Sequence, residues 1–163
     1  MSAASKEWIN GFAYPMLDQD LAYLKQDIED AKAAGADIVI AYLHWGEEYQ
    51  LTENAQQRAI GQKLCDIGFD VIVGGHPHVV QPMALLESTV NPEHKTVCIY
   101  SLGNAVSNQR TGVSNLFPPG YTEDGAMLTV TFEKYSDGKV YLVGADVIPT
   151  WVNMHTNQGK KEY

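Results

Sequence analysis

The chain has 163 residues, of which 45% are apolar, a composition typical of one folded globular domain and too apolar for intrinsic disorder. Its 11 basic and 20 acidic residues give a formal net charge of −9, so the chain repels phosphates and no nucleic-acid partner is expected. The longest apolar run, residues 38–43, is far shorter than the ~20 residues of a membrane-spanning helix. No apolar stretch follows a basic start at the N-terminus, so we expect neither a membrane segment nor a secretory signal.

Apolar periodicity predicts a helix followed by a strand in the first quarter of the chain. The helix begins at Asp18 and ends near Gly35, and its apolar residues recur at intervals of three or four: Leu17, Leu21, Leu24, Ile28 and Ala31. Residues 37–43 are apolar almost throughout and rich in β-branched side chains. This pattern is typical of a central strand that is covered on both faces.

A second helix and strand follow a polar loop. Asn54 and Gln57 resemble a capping box at the helix start, and Gly68 marks its end. Residues 69–73 form another short apolar strand, which we expect Gly74 and Gly75 to terminate. The order helix, strand, helix, strand predicts a βαβ unit whose two strands are parallel and joined by a right-handed crossover.

The rest of the chain indicates antiparallel β structure. Residues 83–86 and 96–100 are predicted strands, and a long loop with Asn115, Pro118, Pro119 and Gly120 follows them. Residues 126–132 and 139–148 alternate apolar and polar side chains around a turn, which predicts a hairpin. The predicted fold class is therefore α/β, with parallel strands in the front half and antiparallel hairpins at the back. We expect a single domain over 1–163, with an irregular lead-in at 1–16 and a polar tail at 153–163.

The two cysteines, Cys65 and Cys98, both lie in apolar segments, and no Cys-rich framework surrounds them. We expect both to be reduced core residues that behave as small hydrophobes. A disulfide between them remains an alternative, which would require Cα atoms within about 7 Å.

Polar motifs follow three of the predicted strands. His44 ends the first parallel strand, residues 74–78 (Gly-Gly-His-Pro-His) follow the second, and residues 101–104 (Ser-Leu-Gly-Asn) follow the strand at 96–100. In open α/β sheets, ligands bind beyond the carboxyl ends of the strands. The sequence therefore predicts that these three segments meet at one edge of the sheet.

Histidine is the commonest metal ligand in proteins, and a metal site gathers its ligands from several segments. We therefore expect His44, His76 and His78 to bind a divalent metal ion. The alternative is that these histidines end strands and bond backbone carbonyls. His94 lies in a turn and His155 near the polar tail, so we expect both to face solvent.

These motifs, in this order and spacing over residues 36–108, resemble the CapA family of capsule-synthesis proteins. The residues that carry the resemblance are His44-Trp45-Gly46, Glu48-Tyr49, residues 74–78 and residues 101–104. That family is associated with poly-γ-glutamate and has a calcineurin-like metallophosphoesterase fold. The resemblance thus implies a partial metallophosphoesterase-like sandwich.

The resemblance also implies roles for individual residues. His44 and His76 would ligate one metal of a two-metal site, and His78 would ligate the other. Glu48 and Asn104 would position a ligand or a bound water, and Trp45 and Tyr49 would line the cleft or pack beside it. The metal could be Zn, Mn or Fe, and no nucleotide cofactor is expected.

One departure from the superfamily pattern affects the function. The pattern begins with an Asp-containing strand end, an acidic bridging position and an Asn-His motif, and none of these precedes His44. The chain resembles the C-terminal part of a CapA domain. Three imidazoles could hold one Zn²⁺-like ion with a water, but a dinuclear centre also needs carboxylates that bridge and neutralise two cations.

Three functions follow from these observations. The first is a CapA-like role in capsule or poly-γ-glutamate biosynthesis, with polyglutamate or a phosphate-containing molecule as ligand. The second is a metal-dependent phosphoesterase completed by a missing N-terminal half or a partner chain, and the third is an inactive fragment. We expect the missing half or self-association to cover apolar surface. The family suggests a cell-surface location, although this chain shows no signal or anchor.

Overall fold

The computed structural model describes residues 11–12, 14–110, 120–153 and 155–162. Residues 1–10 and 13 of the predicted lead-in and residues 111–119 of the predicted long loop lie outside these residues. The described part contains two helices and eight strands. Their bounds are α1 (Asp18–Ala33), β1 (Ile40–His44), α2 (Ala55–Ile67), β2 (Val71–Gly75), β3 (Met83–Glu87), β4 (Lys95–Ile99), β5 (Asp124–Lys134), β6 (Val140–Trp151), β7 (His155–Asn157) and β8 (Lys160–Glu162).

The central element is a four-stranded mixed sheet in the order β1-β2-β4-β3. β1, β2 and β4 run parallel, and β3 pairs with β4 in the antiparallel direction. The predicted βαβ unit is therefore confirmed, and so is the mixed α/β class. Gly74 and Gly75 belong to β2, which begins and ends two residues later than predicted. Glycine does not end this strand because the ladder with β1 continues to the pair His44 and Gly75.

Helices α1 and α2 have the predicted starts and ends. The Leu17 N–H donates to the Asp20 carboxylate at 3.0 Å, which satisfies a free donor before the first turn of α1. The capping box of α2 forms in both directions, because the Asn54 and Gln57 side chains each accept from the other's N–H at 2.9 Å. Gly68 ends α2 in the left-handed conformation.

The core lies between the two helices and one face of the sheet. It includes Leu24 and Ile28 of α1, Leu64 of α2 and Ile72 of β2. Both cysteines are free and buried, which confirms the prediction of reduced core residues. Burial raises the pKa of the Cys98 thiol to about 12, so this side chain is uncharged at neutral pH.

The prediction of a central, doubly covered β1 is wrong. β1 is an edge strand of the sheet, and Ile40 and Tyr42 on its outer face are 60% and 74% exposed. An apolar run indicates that both faces of a strand can be buried. The elements that cover those faces come from elsewhere in the chain, so the run alone does not show that they are present. In the described residues, only β2 pairs with β1.

The predicted hairpin at the back is confirmed as β5 and β6, which pair along their whole length around a turn at Asp137 and Gly138. The expected polar tail contains a second, short hairpin formed by β7 and β8. Gln158 and Gly159 at its turn both have positive φ, as a two-residue hairpin turn requires. Among the described helices, none is long and apolar enough to cross a membrane.

A hydrogen-bonded carboxylate joins α2 to the loop after β3. Asp66 accepts from the Thr89 N–H at 2.7 Å, the Thr89 hydroxyl at 2.8 Å, Gln62 Nε2 at 3.1 Å and the Ser88 hydroxyl at 3.3 Å. Burial raises the pKa of Asp66, but these hydrogen bonds outweigh it, so the pKa lies below its ordinary value.

We expect Asp66→Asn to lower the free energy of unfolding at pH 7 by about 1–3 kcal/mol, because the charged acceptor of several donors is lost. A lowered pKa contributes stability above the unfolded value of about 3.9 and loses it as the pH falls through the folded value. The difference between wild type and variant in urea unfolding should therefore shrink at acid pH. Asp146→Asn at an exposed position is the control, and a pH-independent difference would contradict the assignment.

Candidate functional site

The parallel pairing brings the predicted motifs to one edge of the sheet. His44 ends β1 opposite Gly75, the last residue of β2, and His76 follows directly. The Trp45 N–H donates to the Gly75 carbonyl, and the Leu102 N–H donates to the Gly74 carbonyl, both at 3.1 Å. We call this edge, formed by His44, His76, His78 and Asn104, the histidine rim.

The three imidazoles of the histidine rim lie close together. The ring centroids of His44 and His76 are 4.4 Å apart, and those of His76 and His78 are 6.3 Å apart. His76 and His78 have φ values of 100° and 59°, in a region that costs a non-glycine residue about 1–3 kcal/mol. Backbone strain of this kind is typical of functional turns. Here the strained backbone conformation sets the directions in which the two histidine side chains leave the turn.

Burial lowers the pKa of His76, and His44 and His78 lower it further, while Glu48 acts in the opposite direction. A lowered pKa keeps this imidazole neutral at pH 7, with one ring nitrogen unprotonated. His76 thus supplies a neutral ring nitrogen with a free lone pair, which is the form of histidine that binds a metal ion.

His78 is held by two neighbours. Its Nδ1 lies 2.9 Å from Asn104 Oδ1, and the Tyr49 ring stacks at a centroid distance of 6.2 Å. The Asn104 Nδ2 group donates to the carbonyls of His78 and Thr122 at 3.1 and 2.9 Å. The Asn104 side chain therefore makes hydrogen bonds within the protein from both ends of its amide.

A buried pair of glutamines anchors the loop that carries Glu48 and Tyr49. Gln57 Nε2 donates to Gln81 Oε1 at 2.8 Å, and Gln81 Nε2 donates to the carbonyls of Gln50 and Thr52 at 2.9 and 3.1 Å. Sequence reasoning identified Gln57 only as a capping residue and missed Gln81. No local signal distinguishes Gln81 from a surface glutamine, because its partners lie about thirty residues earlier in the chain.

Trp45 belongs to the core rather than to an open cleft. Its Nε1 donates to the Tyr100 carbonyl at 2.8 Å, and the two rings stack. Gly74 lies beneath this contact, where a Cβ would stand 1.9 Å from the Tyr100 oxygen and 2.4 Å from Trp45 Nε1. Glycine is therefore required at this position of β2.

Tyr49 and Arg110, two polar residues near the rim, both interact with other side chains. Burial raises the pKa of Tyr49, and the charge of Glu48 and its hydrogen bond raise it further. The Tyr49 hydroxyl also accepts from Gln109 Nε2 at 3.3 Å. Arg110 forms an ion pair with Glu123 at 3.7 Å, and both side chains are mostly buried. A carboxylate thus neutralises this guanidinium.

His94 and His155 lie away from the rim. The His94 ring is half-buried, and its Nε2 lies 3.0 Å from the Phe69 carbonyl at the opposite end of β2, so the prediction of solvent exposure is wrong. That bond closes the loop between β3 and β4 over the sheet, a long-range contact that the turn composition cannot indicate. His155 is exposed, as predicted.

The donor set of the rim suits a metal ion, because three imidazoles from separate segments lie close together. Within the described residues, however, no group of three or more His, Cys, Asp and Glu is already arranged to hold one. Metal binding by all three histidines would therefore require rotation of their side chains. The assignments of His44, His76, His78, Glu48 and Asn104 as site residues stay predictions.

Comparison with known proteins identifies the family. The sequence model of the bacterial capsule synthesis protein PGA_cap matches residues 2–109, which include the whole histidine rim. The chain belongs to the PGA_cap family. The predicted kinship with capsule-synthesis proteins of the CapA type is thus confirmed.

Two relatives place the chain within this family. It is 34% identical over 114 residues to the PGA biosynthesis protein CapA of Bacillus subtilis (strain 168), which covers 69% of this chain and 26% of that protein. It is 32% identical over 121 residues to the capsule biosynthesis protein CapA of Bacillus anthracis, covering 74% and 25%. The chain thus spans about a quarter of the length of these PGA_cap relatives.

We expect Gly74→Ala to lower the free energy of unfolding by about 3 kcal/mol or more, because the added methyl forces β2 away from Tyr100 and Trp45. Gly144→Ala is the matched control in a strand, since a Cβ there meets only Thr131 at ordinary contact distance. Urea unfolding of both variants measures the difference. Equal effects of the two substitutions would show that the close approach at Gly74 is relieved at no cost.

Proposed function

We propose that this chain serves in bacterial capsule biosynthesis as a calcineurin-like, metallophosphoesterase-like domain that binds a divalent metal ion at the histidine rim. The observation that carries the proposal is the meeting of His44 with His76 and His78, two segments about thirty residues apart, at the carboxyl ends of the parallel strands β1 and β2. The mixed α/β sheet is compatible with the calcineurin-like fold. The names of the two CapA relatives support the biological role.

His44 and His76 would bind the ion together, since their ring centroids are separated by only 4.4 Å. His78 would join them or bind a second ion, as its separation of 6.3 Å from His76 permits. When bound, a divalent metal polarises a phosphoryl or carbonyl oxygen and lowers the pKa of a coordinated water. Glu48, whose charge acts on His76, is the nearby carboxylate that would balance the positive charge of the metal ion.

A metal ion would also explain how an acidic chain meets an anionic polymer. The formal net charge of −9 opposes direct capture of polyglutamate or of a phosphate-containing ligand. Arg110, the basic residue nearest in sequence to the rim motifs, is paired with Glu123. A cation held by the imidazoles would supply the positive charge that these side chains do not.

The second candidate is a phosphoesterase that becomes complete when a further segment or partner chain supplies carboxylates. The imidazole-rich donor set favours it, because three neutral ligands leave the charge of two metal ions unbalanced. A third candidate, an inactive fragment, predicts no specific metal binding. These three candidates differ in metal stoichiometry and in turnover, and both can be measured on the same preparation.

Calorimetric titration of the metal-free chain with Zn²⁺ tests the proposal. We expect at least one equivalent to bind, and His76→Ala to weaken binding at least about 10-fold because one of few ligands is lost. His155→Ala, at an exposed position outside the rim, is the control. Less than one equivalent, or no effect of His76→Ala, would rule out the metal site.

The same samples distinguish binding from hydrolysis. Turnover of a chromogenic phosphodiester with Mn²⁺ that His76→Ala abolishes would favour the phosphoesterase. Metal binding without turnover would favour a role in binding the polymer.

We also propose that the exposed edge of β1 pairs with β1 of a second copy of the chain. Natural edge strands are protected by charges, prolines or bulges, and β1 contains none of these between Ile40 and His44. Antiparallel pairing about a two-fold axis at Tyr42 would be self-complementary and would cover the exposed side chains of Ile40 and Tyr42.

Sedimentation velocity tests this proposal. We expect a dimer that salt strengthens, because screening reduces the repulsion between two chains of charge −9. Ile40→Lys should give a monomer, whereas Val90→Lys, at a 70% exposed position outside the sheet, should leave the dimer intact. A wild-type chain that stays monomeric at all salt concentrations would overturn it.

A further inference from the structure

The orientation of the Asn104 amide is determined by its partners. Its Nδ2 end faces two backbone carbonyls, those of His78 at 3.1 Å and Thr122 at 2.9 Å, and a carbonyl oxygen can only accept. Reversing the amide would place Oδ1 against both carbonyls and lose both hydrogen bonds. The Oδ1 end therefore faces His78 Nδ1, at 2.9 Å.

The contact between Asn104 Oδ1 and His78 Nδ1 determines which ring nitrogen of His78 carries the hydrogen. An amide oxygen is an acceptor only, so the hydrogen bond exists only if His78 Nδ1 carries the hydrogen. A neutral imidazole has a single N–H, and its other nitrogen then has a free lone pair. In this arrangement, that nitrogen is Nε2.

The surroundings keep Asn104 in place. Asn104 is 8% exposed, and a Cβ on Gly125 would lie only 2.5 Å from its carbonyl oxygen, so β5 passes directly beside it. The Leu102 carbonyl accepts from the Ala126 N–H at 2.8 Å, which fixes the same loop to the same strand. The start of the β5 hairpin thus supports the asparagine that contacts the rim.

We infer that Asn104 is a positioning residue that sets the tautomer of His78, holding the hydrogen on Nδ1 and leaving Nε2 as the atom that binds a ligand at the rim. The Tyr49 ring lies alongside, with its centroid 6.2 Å from that of the His78 ring. Outer hydrogen bonds of this kind orient metal-binding histidines and select their tautomer. The assignment of the tautomer depends only on the hydrogen bonds of Asn104, whereas the use of Nε2 to bind a metal rests on the proposed function.

Nuclear magnetic resonance of the full chain labelled with ¹⁵N-histidine tests the tautomer without metal. At about pH 8.5, where an ordinary imidazole is neutral, the two ring nitrogens of His78 should show a protonated Nδ1 and an unprotonated Nε2. His78→Gln assigns the signals, and a short histidine-containing peptide provides the reference for a ring in solvent. A wild-type His78 with its hydrogen on Nε2 would overturn the inference.

Variants of Asn104 separate its acceptor from its bulk. Asn104→Leu removes the acceptor at similar size, so the His78 signals should move to the tautomer mixture that the histidine-containing peptide shows. Asn104→Asp keeps an acceptor and should keep the hydrogen on Nδ1, while its second oxygen cannot donate to the His78 and Thr122 carbonyls and should lower the free energy of unfolding. Unchanged His78 signals in a folded Asn104→Leu protein would also overturn the inference, and if that variant does not fold, the wild-type spectrum decides.

Zn²⁺ titration of the same variants separates this inference from the proposed function. Where the rim binds Zn²⁺, Asn104→Leu should weaken binding about 10- to 100-fold, while Asn104→Asp should retain more of it. If neither wild type nor variants bind Zn²⁺ but the His78 tautomer responds as expected, the proposed metal site fails and the positioning role stands. Zn²⁺ binding that is insensitive to Asn104→Leu would overturn the step from tautomer to ligand.

Discussion

The histidine rim depends on the parallel pairing of β1, β2 and β4. Parallel strands end at the same edge of a sheet, and the register that pairs His44 with Gly75 places His76 beside the end of β1. A slip of one residue would turn the His44 side chain to the opposite face of the sheet. The Trp45 contact with Tyr100, which only glycine at position 74 permits, holds the strands in this register.

Buried hydrogen bonds hold the segments that emerge from this edge. Gln57 and Gln81 fix the loop that carries Glu48 and Tyr49, and Asn104 links His78 to the backbone at Thr122. Such groups are costly to bury unless they are paired, so each network has few alternative arrangements. The strained backbone of His76 and His78 is tolerated because the surrounding bonds determine it. These bonds hold the backbone of the rim segments in place, while the imidazole side chains would still rotate to bind a metal ion together.

Membership of the PGA_cap family and the acidity of the chain set limits on its function. In the proposed role, a chain of charge −9 would meet an anionic polymer and would need a local source of positive charge. The ion pair of Arg110 and Glu123 is neutral, which leaves the imidazoles as the groups that could recruit a cation.

Elements whose signals are local can be predicted from the amino-acid sequence. The capping box of Asn54 and Gln57, the βαβ unit, the β5–β6 hairpin and the meeting of His44 with His76 and His78 all follow from periodicity, turn chemistry and strand direction. Three features could not be predicted from such signals: β1 is an edge strand, His94 bonds the distant Phe69 carbonyl, and Asn104 bonds His78. These features depend on contacts between segments that are far apart in the chain. The pattern of apolar side chains indicates that a face of a strand or helix will be buried, but it does not indicate which segment will cover that face.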